Sequence, residues 1–168
     1  MLPHPYHRLW LEVIFLKIQW KNLISCLAIP LAAGGLSALL TRGSMESFEA
    51  LNKPTLSPPG WLFPVVWTVL FVLMGIASYL AAVSGGPNRT ALAVYGVQLL
   101  FNFVWPLLFF RLAQYLPAFI WLVILWVLIL VTAVLFYRIS KPAGYLMLPY
   151  LAWVAFAGYL NLAIFLLN

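Results

Sequence analysis

The chain has 168 residues, of which 65% are hydrophobic and only 7% are charged, and its mean hydropathy is +1.05. A soluble domain carries about 25% charged residues, so this composition excludes a soluble globular protein and indicates an integral membrane protein. Nine basic residues against three acidic ones give a net charge of +6, a bias that in a membrane protein concerns topology and anionic lipid and not nucleic acid.

The first 18 residues differ from the rest of the chain. They mix basic, aromatic and apolar residues, and the apolar run 9–16 is too short and too interrupted by Glu12 to predict a spanning helix. Residues 1–18 are therefore predicted to be an N-terminal extension, either an interfacial helix or a disordered tail. His4 and His7 have a spacing that metal sites use, but two histidines in a terminal tail are more often bystanders, and no metal site is predicted.

Five apolar segments follow, each close to the roughly 20 residues that a helix needs to cross the hydrocarbon core. They predict an all-α fold, a polytopic membrane protein with a bundle of five transmembrane helices in residues 19–168. Glycine, proline and arginine residues interrupt the chain between the later segments. Because those connections are short, we expect consecutive helices to pack as antiparallel neighbours. The predicted spans are residues 21–41, 61–83, 90–111, 115–137 and 143–167.

The one long connection, residues 42–60, is predicted to be a stiff lid over a pocket. Pro54, Pro58 and Pro59 fix their own backbone angles and push the residues before them into extended conformations. Ser57 before a proline is a good N-cap for the second helix. The same residues also fit a rigid connection without a ligand, and both interpretations stay open at this point.

Basic residues near the ends of the spans predict the orientation of the chain in the membrane. Six lie on the side of the N-terminus and three on the opposite side. We therefore expect the N-terminus inside, and the C-terminus and the lid outside. The six are Arg8, Lys17, Lys21, Arg89, Arg138 and Lys141, and the three are Arg42, Lys53 and Arg111.

No Asp, Glu, Lys, Arg or His lies in the middle of a span. This disfavours an ion-coupled transporter and removes the usual general acids and bases, so no catalytic residue is predicted. Aromatic and amide side chains remain, and at helical spacing they form one stripe on each of three helices. The stripes are Trp67, Phe71, Met74 and Ser78 on the second span, Gln98, Asn102, Trp105 and Phe109 on the third, and Tyr150, Trp153, Ala157 and Asn161 on the fifth.

The stripes allow two interpretations. An amide in hydrocarbon turns inward and finds a hydrogen-bond partner, so Asn102 and Asn161 can be structural contacts between helices. They can also be the polar anchors of a central cavity with aromatic walls. Sites for large, flat, apolar ligands are built in this way.

Four blocks of sequence resemble the TspO/MBR family, which comprises the tryptophan-rich sensory proteins and the translocator or peripheral benzodiazepine receptor proteins. The resemblance covers residues from about 20 to 168. The blocks are IPLAAGGLSALLT at 29–41, KPTLSPPGW with VVWTVLFVLMGIASYL at 53–61 and 65–80, QLLFNFVWPLLFF at 98–110, and LPYLAWVAFAGYLN at 148–161.

The resemblance implies five helices around a pocket under the lid, which binds porphyrins, other tetrapyrroles or similar flat lipophilic molecules. It implies a sensory, regulatory or transport role, a location in the bacterial cytoplasmic membrane, and contact with membrane lipid and with a second copy as a homodimer. A porphyrin is implied as ligand and no cofactor is required. The resemblance and the stripes together predict a set of ligand-binding residues. They are Pro54, Leu56, Pro58, Pro59, Trp61, Trp67, Asn102, Trp105, Tyr150, Trp153, Ala157 and Leu160.

The chain also departs from the family pattern. Leu56 stands where the family often has tryptophan, Ser47 and Phe48 replace an aromatic pair, and the glycine-spaced dimer motif is reduced to Ala93 and Val97. Some bacterial members are reported to promote tetrapyrrole breakdown, so one alternative is a membrane enzyme for oxidative or light-dependent porphyrin degradation, which Leu56 disfavours. A second alternative is a small transporter or an interaction subunit without a ligand of its own.

Overall fold

The computed structural model describes residues 18–44, 48–86 and 88–168. In these ranges the chain forms five helical spans that are long and apolar enough to cross a membrane, and no strand, which confirms the predicted all-α bundle. The predictions made for residues 1–17, including the histidine pair and the basic residues Arg8 and Lys17, lie outside the described residues.

Six α-helices make up the five spans. The fifth span is divided at Met147, the first span ends in a 3₁₀ turn, and the third ends in a π-helix. Helix α1 is Trp20–Thr41, followed by a 3₁₀ turn at Arg42–Ser44; α2 is Leu62–Val83; α3 is Arg89–Pro106, followed by a π-helix at Leu107–Arg111; α4 is Tyr115–Ile139; and the fifth span comprises α5, Lys141–Leu146, and α6, Leu148–Leu167.

A proline lies beside the irregularity in the third span and in the fifth, and proline has no N–H and clashes with the carbonyl four residues earlier. Pro106 precedes the π-helix, after which the Leu112 N–H donates to the Leu107 carbonyl at 3.0 Å. Pro149 follows the break at Met147. Such breaks are tolerated at membrane depth where neighbouring helices enclose them.

The predicted N-cap at Ser57 is wrong. Helix α2 begins at Leu62, and the Ser57 N–H instead donates to the Pro54 carbonyl at 2.9 Å within the preceding connection. Because Pro58 and Pro59 disfavour the helical conformation at the residues before them, the helix begins only after the second proline.

The spans form a ring in which α1 packs against α2 and α3, α2 against the start of the fifth span, and α4 against the fifth span and α3. The expectation that consecutive helices are neighbours is therefore wrong for α2 and α3, which make only a limited contact. Glycines on α1 and α2 explain the difference. A Cβ at Gly75 would lie 2.8 Å from the Leu27 Cα, and one at Gly34 would overlap the Phe71 ring. The faces of α1 and α2 that carry small residues therefore pack against each other.

Two tryptophans of α4 hold the bundle together. The Trp121 indole N–H donates to the Phe101 carbonyl at 2.8 Å, and its ring stacks on that of Phe101 with the centroids 4.2 Å apart. The Trp126 indole N–H donates to the Leu151 carbonyl at 3.2 Å. An indole N–H in hydrocarbon needs an acceptor, so these two residues serve helix packing.

The lid is tied to the end of the fifth span. The Asn52 N–H donates to Asn168 Oδ1 at 3.0 Å, and Asn168 Nδ2 donates to the Asn52 carbonyl at 3.1 Å. We call this end of the bundle the lid end. The opposite end holds the start of α1, the α2–α3 turn and the α4–α5 turn, and we call it the basic end, after Lys21, Arg89, Arg138 and Lys141.

Candidate functional site

A cavity of about 340 Å³ lies between α1, α2 and α3 in the half of the bundle nearest the lid, and we call it the main cavity. Its volume is at the lower end of the range of about 300–1,000 Å³ that small-molecule sites occupy. The lining is largely aromatic or aliphatic. It consists of Gly34, Ser37, Ala38, Thr41, Arg42, Phe48, Gly60, Phe63, Pro64, Trp67, Phe71, Asn102, Trp105, Pro106 and Phe110.

Stacked aromatic rings form one wall of the main cavity. The Trp67 ring stacks on Phe71 with centroids 5.6 Å apart, and the Trp105 ring stacks on Phe109 at 5.5 Å. The Trp67 and Trp105 centroids are 6.3 Å apart. These rings come from α2 and α3 at the helical spacing seen in the sequence, so the predicted stripes face each other.

Asn102 is the one amide side chain on the main cavity. Its Nδ2 donates to the Tyr150 hydroxyl at 2.8 Å, and that hydroxyl donates to Gln98 Oε1 at 3.0 Å. An amide oxygen can accept two hydrogen bonds, yet Asn102 Oδ1 accepts none from the described residues. The side chain is thus a contact between α3 and the fifth span, and its Oδ1 keeps an unused acceptor position among the described residues.

Asn161 is a structural contact. Its Oδ1 accepts from the Trp105 indole N–H at 3.2 Å, and its Nδ2 donates to the Tyr115 carbonyl at 2.7 Å. Both ends of the amide are therefore bonded, and the fifth span is joined to α3 and α4. This arrangement also fixes the orientation of the Trp105 ring on the main cavity.

A smaller cavity of about 20 Å³ lies behind the main one, toward the fifth span. It has room for about one water molecule. The predicted residues Ala157 and Leu160 line it, so they lie one layer behind the main cavity. The two cavities share the side chains of Phe48, Phe63, Trp105 and Phe110.

Three of the predicted ligand-binding residues line the main cavity, namely Trp67, Asn102 and Trp105. Tyr150 is fully buried behind them, with its ring centroid 6.1 Å from that of Trp67. The Trp153 ring packs on Phe63 at 5.9 Å and reaches neither cavity. The structure therefore places Tyr150 and Trp153 in the layer that supports the cavity wall.

The predicted ligand-binding residues of the lid, and Trp61 directly after it, line neither cavity. Leu56 and Trp61 are each 67% exposed. The lid instead contributes Phe48 and Gly60 to the main cavity. The lid bends at a turn in which the Ser57 N–H donates to the Pro54 carbonyl, and Leu56 is exposed at this turn. The remaining predicted residues on the lid are Pro54, Pro58 and Pro59.

Helix α1 contributes lining residues that were not predicted from the sequence. Gly34, Ser37, Ala38 and Thr41 recur at helical spacing and line the main cavity, and this run of small residues was the signal. The Ser37 hydroxyl donates to the Phe103 carbonyl at 3.1 Å, so it is already used within the protein. Helix α1 therefore supplies room together with two hydroxyls, Ser37 and Thr41, whose protons are donated to backbone carbonyls of the protein.

The mouth of the main cavity is cationic. Among the described residues, Arg42 is its one charged lining residue, and Lys53 Nζ lies 4.5 Å from the ring centroid of Phe48, another lining residue. The one acidic residue in the described ranges, Glu49, is exposed and forms no ion pair there. Across residues 18–44, 48–86 and 88–168, no three His, Cys, Asp or Glu side chains are grouped as metal ligands would be.

Comparison with known proteins identifies relatives along most of the chain. The model of the TspO/MBR family matches residues 26–167, which include nearly all of the described fold and the whole lining of the main cavity. Tryptophan-rich protein TspO of Chlorobaculum tepidum is 39% identical over 156 residues, which are 89% of this chain and 98% of that protein. Protein CrtK of Rhodobacter capsulatus is 38% identical over 81% of this chain and 86% of its own length. The translocator protein of Bos taurus is 36% identical over 84% and 87%, respectively.

Proposed function

This chain belongs to the TspO/MBR family of multi-pass membrane proteins, and we propose that it binds a porphyrin or a similar flat lipophilic tetrapyrrole in the main cavity. The observation that carries the proposal is the aromatic wall of Trp67 and Trp105 beside the Asn102 amide, whose Nδ2 is hydrogen-bonded and whose Oδ1 accepts no hydrogen bond from the described residues. A flat macrocycle offers an apolar face to such a wall and polar groups at its edge to such an amide.

The cationic mouth supports a ligand with acidic side chains. Porphyrins carry carboxylate groups at their periphery, and a guanidinium binds carboxylate through charge-assisted hydrogen bonds. Arg42 lies at the rim while the interior is apolar. A ligand whose body is apolar and whose edge is anionic fits this distribution of charge.

Binding of the proposed porphyrin would serve a sensory, regulatory or transport role of this protein. The relative from Bos taurus is called a translocator protein and the one from Chlorobaculum tepidum a tryptophan-rich protein. If this chain transports the ligand, the ligand would enter or leave through the lid end. The main cavity adjoins the lid, and the packed half of the bundle separates it from the basic end.

We place the lid end outside and the basic end inside, in the cytoplasmic membrane of a bacterial cell. Four described basic residues lie at the basic end and three at the lid end, and basic residues favour the cytoplasmic side. Reporter fusions at the two ends of the chain test this orientation. A fusion after Asn168 that is active only in the cytoplasm would contradict it.

The outer face of α3 is where we propose that a second copy packs to form a homodimer. Ala93, Gly96 and Val97 are exposed there, and a Cβ at Gly96 would meet nothing within 4 Å. Small residues allow close approach of helices in membranes. Val97→Trp should therefore yield monomers in light scattering of the detergent-solubilised protein, and unchanged dimers would exclude this face.

A titration of the purified chain with protoporphyrin and related porphyrins tests the proposed function. We expect saturable binding at one site per chain, followed through the shift of the porphyrin absorbance band. Absence of saturation with any porphyrin would overturn the proposal and favour an interaction subunit. The same cuvettes, left in light and oxygen, report pigment loss, and rapid loss would favour the degrading enzyme.

A further inference from the structure

A separate cavity of about 300 Å³ lies at the basic end, between the α2–α3 turn, the first turn of α3 and the last turn of α4. It shares no lining residue with the main cavity, and we call it the basic-end cavity. Its lining residues are Gly86, Thr90, Ala91, Leu135, Arg138 and Ile139.

The basic-end cavity has an apolar side and a polar side. Leu135 and Ile139 line it one helical turn apart on α4, and Gly86 lies near them, since a Cβ at Gly86 would lie 4.0 Å from Ile139 Cγ2. Arg138 and Thr90 supply the polar side. Arg138 is exposed, and in the described part of the chain no acidic side chain pairs with it.

The charge around this cavity is positive and uncompensated within the described ranges. Lys21, Arg89 and Lys141 lie at the same end as Arg138, whereas Glu49, the one described acidic residue, lies at the lid end. Coulomb attraction to an anion is therefore not opposed by any described carboxylate near the cavity. The preference of basic residues for the cytoplasmic side explains their number, but not why one of them lines a cavity with an apolar side.

We expect the cavity to lie at the depth of the lipid headgroups, because two exposed tyrosines are close to it in the chain. Tyr137 and Tyr145 flank the α4–α5 turn, both are exposed, and their ring centroids are 5.5 Å apart. Exposed tyrosines concentrate at the level of the headgroups in membrane proteins. A ligand at this depth meets water on one side and acyl chains on the other.

We propose that the basic-end cavity binds an anionic phospholipid. The phosphate is held by the Arg138 guanidinium and the Thr90 hydroxyl, and the glycerol and upper acyl chain lie on Leu135 and Ile139. Charge complementarity selects this occupant, since a guanidinium binds phosphate with two parallel hydrogen bonds and nearby cations favour a lipid with net negative charge over a zwitterionic one. This site does not depend on the porphyrin proposal.

The test is a titration of the full chain, purified in a neutral detergent, with phosphatidylglycerol and with phosphatidylcholine of the same acyl chains. Bound lipid is counted by native mass spectrometry, and the melting temperature is recorded in parallel. We expect one retained phosphatidylglycerol, a higher melting temperature with that lipid than with phosphatidylcholine, and weaker retention as salt rises. Inorganic phosphate at the same concentration should have no effect, because it lacks the apolar contacts.

Arg138→Gln should weaken phosphatidylglycerol binding about fivefold, which corresponds to the ~1 kcal/mol typical of one cation near anionic lipid. Arg138→Lys should restore part of the loss. Arg111→Gln, which removes an exposed arginine at the lid end together with its hydrogen bond to the Leu40 carbonyl, is the matched control and should leave phosphatidylglycerol retention unchanged. Equal retention of the two lipids by the unaltered protein would overturn the proposal, as would an equal loss in Arg138→Gln and Arg111→Gln, or an equal effect of inorganic phosphate.

Discussion

Trp67 and Trp105 contact each other on one side of the main cavity, with ring centroids 6.3 Å apart and ring planes inclined by 31°. A flat ligand inserted between two rings needs them about 7 Å apart, twice the contact distance of carbon atoms. The two rings are therefore too close to sandwich a macrocycle and instead form one continuous wall. We expect the proposed ligand to lie against this wall and to face α1, whose small side chains leave the space.

This wall predicts which tryptophans matter for binding. Trp67→Leu should weaken porphyrin binding by about 0.5–1.5 kcal/mol, the range measured for an aromatic pair beyond its buried area. Trp153→Leu is the matched control, because the Trp153 ring reaches neither cavity. Affinity should be read from the porphyrin absorbance, since quenching of eight tryptophans would not separate their contributions. A larger loss in Trp153→Leu than in Trp67→Leu would place the ligand against the fifth span.

Asn102 should act on the ligand and not only on the bundle. Asn102→Ala is expected to weaken binding by about 1–2 kcal/mol, the scale of one lost hydrogen bond in a dry site. Tyr150→Phe is the matched variant. It removes the Asn102–Tyr150 and Tyr150–Gln98 bonds but leaves the amide on the cavity.

We expect Tyr150→Phe to lower the melting temperature and to keep most of the affinity. If Asn102→Ala lowers only the melting temperature, the amide is a structural contact alone, as Asn161 is.

Arg42 should distinguish acidic ligands from neutral ones. Arg42→Gln is expected to weaken binding of a porphyrin dicarboxylate by about 0.5–1 kcal/mol, the scale of an exposed ion pair, and the loss should shrink as salt rises. The dimethyl ester of the same porphyrin should bind both proteins equally. Arg111→Gln serves again as the control at the same end of the bundle, and since it loses a hydrogen bond to the Leu40 carbonyl, any effect should be equal for acid and ester. An equal loss for acid and ester would show that Arg42 affects the shape of the mouth and not its charge.

The position of Leu56 allows a test of lid closure. Its side chain is 67% exposed, so Leu56→Trp should change porphyrin affinity by less than about twofold if the lid stays where the structure has it. A tryptophan that reached the ligand would add about 0.5–1.5 kcal/mol and would offer an oxidisable ring. Clear tightening, or faster pigment loss under light, would show that the lid closes further when the ligand binds.

The amino-acid sequence by itself determined the five-helix membrane fold and part of the site. Hydropathy is a local property, because a segment of about 20 apolar residues must span the hydrocarbon whatever its neighbours are. The helical period, also local, placed Trp67 on one face of α2, and Asn102 and Trp105 on one face of α3. These are the predicted residues that the main cavity brings together.

Only the tertiary structure decided the order of the helices and the remaining lining. Helices in a membrane pack by shape, so which faces meet depends on small residues far apart in the sequence. Gly34 makes room for Phe71, and Gly75 lets α2 approach the backbone at Leu27. This close pair puts α1, with Arg42 at its end, on the cavity where the sequence had suggested the fifth span. The fifth span is held one layer behind because the hydrogen bonds of Tyr150 and Asn161 bind it to α3 and α4.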